Sequence, residues 1–374
     1  MKETKAERID IFKPYLKSKA SYKGGKGKAE VMEKIKGKKL YKLSSNENVL
    51  GSSPLAIQAI KDDLGNIFEY PPRKDTDLRI ALADFYNHQL SADQFFCENS
   101  GVAVLEMIAR AFISEGLNAI YCNPAFKPYA LFTKREGGTI KDVPLIGDDF
   151  LLDIDSIFNA IDDQTRLVFV TNPNNPTGTY IPKVQIDELI GRLPQHVILV
   201  YDEVYYQFAN KEDYTSAIPY IKEGHNVIAV NSFSKAYGLA GLRIGYAYST
   251  EKIARYIAQL QRPFMLNALG MKAAIAALDD VDFIEKTKKL IKTEKPFLYE
   301  ELEKANVKYW KTEANFIMIK PTMDIHEFEE KMLLEGVMVR PVDNFGAPGC
   351  IRVTIGTREA NQMYINSLKK VLNK

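Results

Sequence analysis

Between about residues 51 and 270, short apolar runs alternate with stretches whose apolar residues recur every three or four positions. Apolar runs bounded by turn-forming residues read as buried strands, and the 3.6-residue period reads as helices packed on them. Strands alternating with helices predict a mostly parallel sheet covered on both faces, a three-layer α/β domain. Four of these units carry unusual polar residues at their carboxyl ends. QFFCENSG leads into the helical VAVLEMIARAFI, and RLVFVTNPNNPTG breaks into a loop of Asn, Pro and Gly. HVILVYDEVYYQF carries Asp202 where its apolar run stops, and NVIAVNSFSKAYG places Ser232 to Lys235 just past its own. Ligands of open α/β sheets bind beyond the carboxyl ends of the strands, so the recurrence marks a candidate site.

Beyond residue 270 the texture changes. A long charged helical stretch, about 271–305, precedes ANFIMIKP, a further helix, GVMVRPV and CIRVTIGT. That order predicts a smaller α+β domain over 271–374, following a large domain over 51–270. Residues 1–50 read as an N-terminal arm packing near the small domain.

Composition narrows the function classes. A chain of 374 residues exceeds the ~250–300 at which a single core stops growing. No apolar run approaches the ~18 residues of a membrane span, and the lysine-rich start does not lead into a signal-peptide core. Cys97, Cys122 and Cys350 are far apart and odd in number, which suits reduced thiols in a cytoplasmic protein. The four histidines are scattered, so no metal-ligand cluster is visible. A net charge of +2 argues against general nucleic-acid binding. The first 42 residues hold fourteen Lys/Arg against five Asp/Glu, either a solvated face or an arm steering anions to a site. GGKGK at 24–28 is no P-loop, because no glycine lies five positions upstream of either Gly-Lys pair.

NSFSKAYGLAGLRIG sets Lys235 among small hydroxyls and glycines, eight residues before Arg243. A lysine so placed is a candidate Schiff-base nucleophile, and its commonest aldehyde partner is pyridoxal 5'-phosphate. That cofactor needs a carboxylate at its ring nitrogen, a polar grip on its phenolic oxygen, an aromatic face and a phosphate cup. Asp202 offers the first, and Asn175 and Tyr205 the second. Phe126, in NPAFKPY, offers the third. Ser100 and Gly101 open a helix whose free N–H groups suit a phosphate, and Ser232 and Arg243 add a hydroxyl and a guanidinium. Each residue alone has a structural explanation: a turn for Asn175, a helix cap for Asp202, core packing for Phe126 and Tyr205, an ion pair for Arg243. Their conjunction at successive strand ends favours the site.

NNPTG, YDEVY and SFSKAYGLAGLRIG together resemble the fold-type I, class I/II pyridoxal-phosphate aminotransferases. YKGGKGKAEV, KKLYKLSSNENVLGSSP, FEYPPR, RPFMLNALG, GVMVRP and GCIRVTIGTRE resemble, in order, landmarks of the histidinol-phosphate aminotransferases, over roughly residues 22–358. The resemblance implies that Lys235, Asp202 and Tyr205 are catalytic. It implies a cofactor site of Ser100, Gly101, Val102, Phe126, Asn175, Ser232, Ser234 and Arg243, completed by Tyr70 from a partner subunit in a homodimer. Arg352 would take the α-carboxylate, Arg340 and Tyr22 the substrate phosphate, and Asn48 would line the entrance. The implied reaction, in histidine biosynthesis, exchanges the amino group of histidinol phosphate with 2-oxoglutarate.

The chain departs from that pattern where Ser100-Gly101-Val102-Ala103 replaces the usual Gly-Ser-Asp-Glu, and where Phe126 stands for a frequent tyrosine. Backbone amides still suit a phosphate there, whereas the loss of two acids bears on the substrate side. Three other readings remain: an aromatic amino-acid aminotransferase, a phosphothreonine-type decarboxylase, and a cofactor-binding regulator of transcription.

Overall fold

A computed structural model describes Tyr15, residues 31–35 and residues 37–373. The strands, in chain order, are β1 (Tyr41–Lys42), β2 (Phe95–Glu98), β3 (Asn118–Asn123), β4 (Thr139–Pro144), β5 (Thr165–Thr171), β6 (Ile198–Asp202) and β7 (Val227–Ser232), followed by β8 (Gly245–Tyr248), β9 (Lys308–Tyr309), β10 (Phe316–Lys320), β11 (Val337–Met338), β12 (Arg340–Pro341) and β13 (Ile351–Thr354).

Seven strands form one sheet in the order β2-β8-β7-β6-β5-β3-β4. The run β7-β6-β5-β3-β4 is parallel, while β8 runs antiparallel to both β7 and β2. Successive side chains of a strand point to opposite faces, and the burial pattern follows this. Val168, Val170, Leu199, Tyr201, Val227 and Ala229 join one core, whereas Leu167, Phe169, Ile198, Val200, Ile228 and Val230 join another. Two cores on two faces make the sheet the middle of three layers. The fold is therefore the α/β architecture expected from the alternation of strand and helix.

A second, four-stranded antiparallel sheet, β12-β13-β10-β9, packs over a third core that includes Phe316, Phe328, Ile351 and Tyr364. The stretch read as one helix over 271–305 is two, Ala268–Leu278 and Val281–Lys304. Asp280 separates them: its carboxylate accepts from the Phe283 N–H (3.2 Å) and from the Ser53 hydroxyl (2.6 Å). The expected boundary at 270 falls inside the first helix, whose buried Met271, Ala273, Ala274, Ala277 and Leu278 belong to the larger core. Ahead of both sheets, β1 pairs in parallel with β11, and Val31 and Ile35 pack with Leu333 and Met338.

Candidate active site

Thr171, Asp202 and Ser232 stand at the carboxyl ends of the adjacent strands β5, β6 and β7. Beyond them opens a cavity of about 380 Å³. Its walls include Lys235, Asp202, Asn175, Tyr205 and Phe126, then Ser100, Gly101, Val102, Ser232, Ser234 and Arg243, and also Arg340 and Arg352. Residues up to 252 positions apart in sequence are thus gathered at one sheet edge.

Lys235 follows β7 by three residues, and its Nζ donates to the Ser45 carbonyl at 2.9 Å. It keeps partial solvent access through the cavity, but protein surrounds the ammonium. Burial, then the charges of Arg352, Arg243 and Lys42, pull its pKa down to about 7 against the attraction of Glu47. A lysine in this state is about half unprotonated in neutral solution, where an ordinary lysine is almost wholly charged.

Asp202 is 5 % exposed, and its two oxygens are held separately. Oδ1 accepts from the Val204 N–H (3.1 Å) and Oδ2 from the Tyr129 hydroxyl (2.6 Å). Burial raises its pKa to about 6, opposed by those two hydrogen bonds and by Lys235. A cationic partner within the cavity would restore the carboxylate, as an opposite charge favours the ionised form. The next residue, Glu203, is not on the cavity wall. It accepts from the Tyr248 hydroxyl and from the Ala217 N–H, on the core side.

Asn175 and Arg352 lock one another. The Arg352 guanidinium donates to Asn175 Oδ1 (2.5 Å) and to the Ser44 carbonyl (3.1 Å), which leaves the Asn175 Nδ2 hydrogens to donate elsewhere. Tyr205 packs edge-on against Phe316 at 5.1 Å and accepts from Asn46 Nδ2 at 3.0 Å. Arg340 lies directly opposite Arg352 in the β12–β13 register. Both guanidiniums also sit over the Phe345 ring, at 5.8 and 5.7 Å. Two guanidiniums facing one cavity from adjacent strands suit anionic groups.

A further part of the wall is built around the turn at Ser100 and Gly101. Ser100 caps the helix Gly101–Phe112 with φ +98°, accepting from the Ala103 N–H. A Cβ on Gly101 would come within 3.3 Å of the Asn231 carbonyl, and one on Gly245 within 2.2 Å of the Gly101 nitrogen. Only glycine lets β8 pass behind this turn. Ser232 Oγ accepts from the Ser234 N–H (3.1 Å), and Arg243 donates to Ser234 Oγ (3.5 Å). Helix-terminal amides, two hydroxyls and a guanidinium fit a phosphate. With Lys235 and the buried Asp202, the donor set fits pyridoxal 5'-phosphate.

Two expected site residues, Tyr70 and Asn48, do not line this cavity, and a third, Tyr22, falls outside the described residues. Tyr70 is 85 % exposed, its ring against Phe264 at 5.3 Å, and it does not line the cavity of its own chain. Asn48 is not on the cavity wall either: its Nδ2 donates to the Ala236 carbonyl (2.8 Å) and Thr287 Oγ1 (2.9 Å). The left-handed turn at Asn46 (φ +56°) puts residue 46, not 48, on the wall, so Asn48 tethers the loop beside Lys235 instead. Sequence reasoning missed Asn46, Glu47 and Tyr129, all on the wall. An Asn just after two serines in SSNEN is compatible with a positive-φ turn. Tyr129, three residues past Phe126, carried no signal beyond its aromatic character.

The family model for aminotransferase class I and II matches residues 38–368. The histidinol-phosphate aminotransferase of Caldicellulosiruptor saccharolyticus is 36 % identical over 362 residues, 97 % of this chain and 100 % of that protein. Histidinol-phosphate aminotransferase 2 of Carboxydothermus hydrogenoformans is 37 % identical over 365 residues, covering 97 % and 98 %. The crystal structure of the Sinorhizobium meliloti histidinol-phosphate aminotransferase in complex with pyridoxal-5'-phosphate shares the fold, with a TM-score of 0.87 over 98 % of both chains at 24 % identity. From the paired strand-end chemistry and from near-full-length similarity alike, this chain belongs to the class I and II aminotransferases.

Proposed function

We propose that the protein is a pyridoxal-phosphate-dependent histidinol-phosphate aminotransferase of histidine biosynthesis. The observation that carries the substrate is Arg340 opposite Arg352, two guanidiniums on one cavity, so that Arg340 can take a substrate phosphate while Arg352 serves the carboxylate of the exchanged amino acid. Histidinol-phosphate aminotransferases among its relatives support the same reading. An aromatic amino acid offers a single carboxylate and leaves Arg340 without a purpose in binding.

When bound, the cofactor supplies an electron-withdrawing ring that acidifies the α-proton of an amino acid. Lys235 anchors it and afterwards takes that proton on Nζ. Asp202 holds a positive charge at the ring nitrogen, kept in line by Tyr129 and the Val204 N–H. Asn175 Nδ2 and the Tyr205 hydroxyl hold the ring oxygen, while Phe126 covers a ring face. The Gly101 and Val102 amides, Ser100, Ser232, Ser234 and Arg243 take the cofactor phosphate. The Ser100–Ala103 departure leaves these backbone donors in place. Arg352 takes the carboxylate of the glutamate formed, and Arg340, with Tyr22, the phosphate of histidinol phosphate.

Losing a charge-assisted hydrogen bond costs about 1.5–3 kcal/mol, roughly 10- to 150-fold in kcat/KM. Arg340→Ala is expected to lose at least that much with histidinol phosphate. Arg352→Ala should damage the glutamate half-reaction more than the histidinol phosphate one. Single-turnover absorbance traces of both half-reactions separate the two roles. Equal losses in both half-reactions for both variants would dissolve the assignment.

The protein acts as a homodimer in which Tyr70 serves the partner's site. Supporting this, Ile67, Phe68 and Tyr70 are 64 %, 81 % and 85 % exposed in succession, an apolar ridge uncommon on a monomer. Sedimentation should give twice the chain mass, and a fully active monomer would remove both the dimer and the role of Tyr70. The cytoplasm is the compartment, supported by three buried, unpaired cysteines. No described helix is long and apolar enough to cross a membrane.

A further inference from the structure

A second and larger cavity, of about 1330 Å³, lies behind the loops of the first. Thr179 and Phe208 are on its wall, a few residues beyond Asn175 and Tyr205 of the active-site cavity. Three separate segments supply its cations: Lys211 from the loop after β6, Lys311 from the turn before β10, and the helix Val281–Lys304. The helix presents Lys286, Lys288, Lys289, Lys292 and Lys295 to it.

The acids on this wall do not neutralise them. Glu285 pairs with Lys288 (2.7 Å), and Glu313 stands 3.8 Å from Lys295. Asp149 and Asp282 remain against Lys211, Lys286, Lys289, Lys292 and Lys311, and none of these five forms an ion pair among the described residues. Like charges three and four apart destabilise a helix by a few tenths of a kcal/mol per pair, and Lys288, Lys289, Lys292 and Lys295 stand in that relation. The charges also meet across segments: burial and, to a lesser degree, Lys211 lower the pKa of Lys295 against the attraction of Glu313, and the Lys295 side chain is only 13 % exposed. A solvated helix face would spread its lysines into water, whereas these surround a concave floor of Tyr180, Phe208, Ile291 and Tyr299.

We propose that this groove is a binding site for an oligophosphate of nucleotide size. The lysines take the phosphates as point charges, and the partly exposed rings of Tyr180 and Tyr299 offer contact area for a base. A ligand seated there touches both the loop after β6 and the long helix.

The test is calorimetric titration of the cofactor-loaded protein with tripolyphosphate, ATP and AMP, at low ionic strength and again at about 0.15 M salt. Tripolyphosphate and ATP should bind, AMP much more weakly, with affinity falling as salt rises. Tighter binding of ATP than of tripolyphosphate identifies a nucleotide ligand, and equal binding identifies the oligophosphate alone. Replacing the exposed Lys286, Lys289 and Lys292 together with Gln should weaken binding at least about tenfold. Turnover of the amino-acid substrates stays unchanged, which also shows that the variant is folded. Three results would overturn the proposal: no binding of tripolyphosphate or ATP at low salt, binding undiminished in the triple variant, or binding abolished by Arg340→Ala, which would place the anion in the active-site cavity.

Discussion

Lys235→Ala should lose at least ~10²–10⁴-fold in kcat, the range for removing a positioned proton carrier, and more because the covalent anchor goes with it. The cup formed by Gly101, Ser232, Ser234 and Arg243 is untouched by this change, so cofactor should still be retained on gel filtration. Borohydride treatment of the unaltered protein followed by peptide mapping should place the label on Lys235. The lowered pKa of about 7 sets the pH dependence. The amine is half unprotonated near pH 7 and mostly so one unit above. Capture of cofactor by the stripped protein should accelerate as pH rises through 7, then level off. A label on another lysine, or a rate independent of pH between 6 and 8 (about one unit either side of that pKa), would contradict the assignment.

Asp202→Asn is expected to cost on the order of 10²–10³-fold in kcat, the scale for removing one preorganised electrostatic group from a reacting centre. An amide cannot hold a full positive charge at the ring nitrogen. Its one oxygen can still accept from the Val204 N–H while its Nδ2 donates to the Tyr129 hydroxyl oxygen, so the fold and the Tyr129 contact should survive. Thermal denaturation near the unaltered midpoint, together with a collapsed kcat, separates chemistry from structure. A near-normal kcat would reduce Asp202 to a packing residue. Tyr129→Phe should give a smaller loss, because it removes one of two bonds that hold the carboxylate and leaves the charge in place.

Much of this architecture was legible in the sequence because its information is local. A buried strand of a parallel sheet is a short apolar run, and the residue just past it marks the sheet edge at which ligands bind. Lys235, Asp202 and Asn175 could be found without any knowledge of tertiary contacts. What escaped depends on pairing across distance. Tyr129 reaches Asp202 from another strand unit, 73 positions away, and nothing in NPAFKPY specifies that meeting. Asn46 and Asn48 are equivalent as letters, and only the backbone turn at residue 46 decides which faces the cavity. The helices Ala268–Leu278 and Val281–Lys304 looked continuous because the carboxylate that divides them, Asp280, is one acid among many in a charged stretch. Its role rests on Ser53, 227 residues earlier. The family resemblance assigned Arg340 and Arg352 to the substrate, but their direct opposition is a property of the β12–β13 register.

The central claim, transamination of a phosphorylated imidazole amino alcohol, is tested most directly by comparing kcat/KM across amino donors with a fixed supply of 2-oxoglutarate. Histidinol phosphate should exceed phenylalanine, tyrosine and unphosphorylated histidinol by at least roughly 10- to 150-fold, the value of one charge-assisted contact to its phosphate. Glutamate should accumulate one for one with the oxo product. A preference for phenylalanine or tyrosine would make the protein an aromatic amino-acid aminotransferase, and release of carbon dioxide without glutamate would make it a decarboxylase.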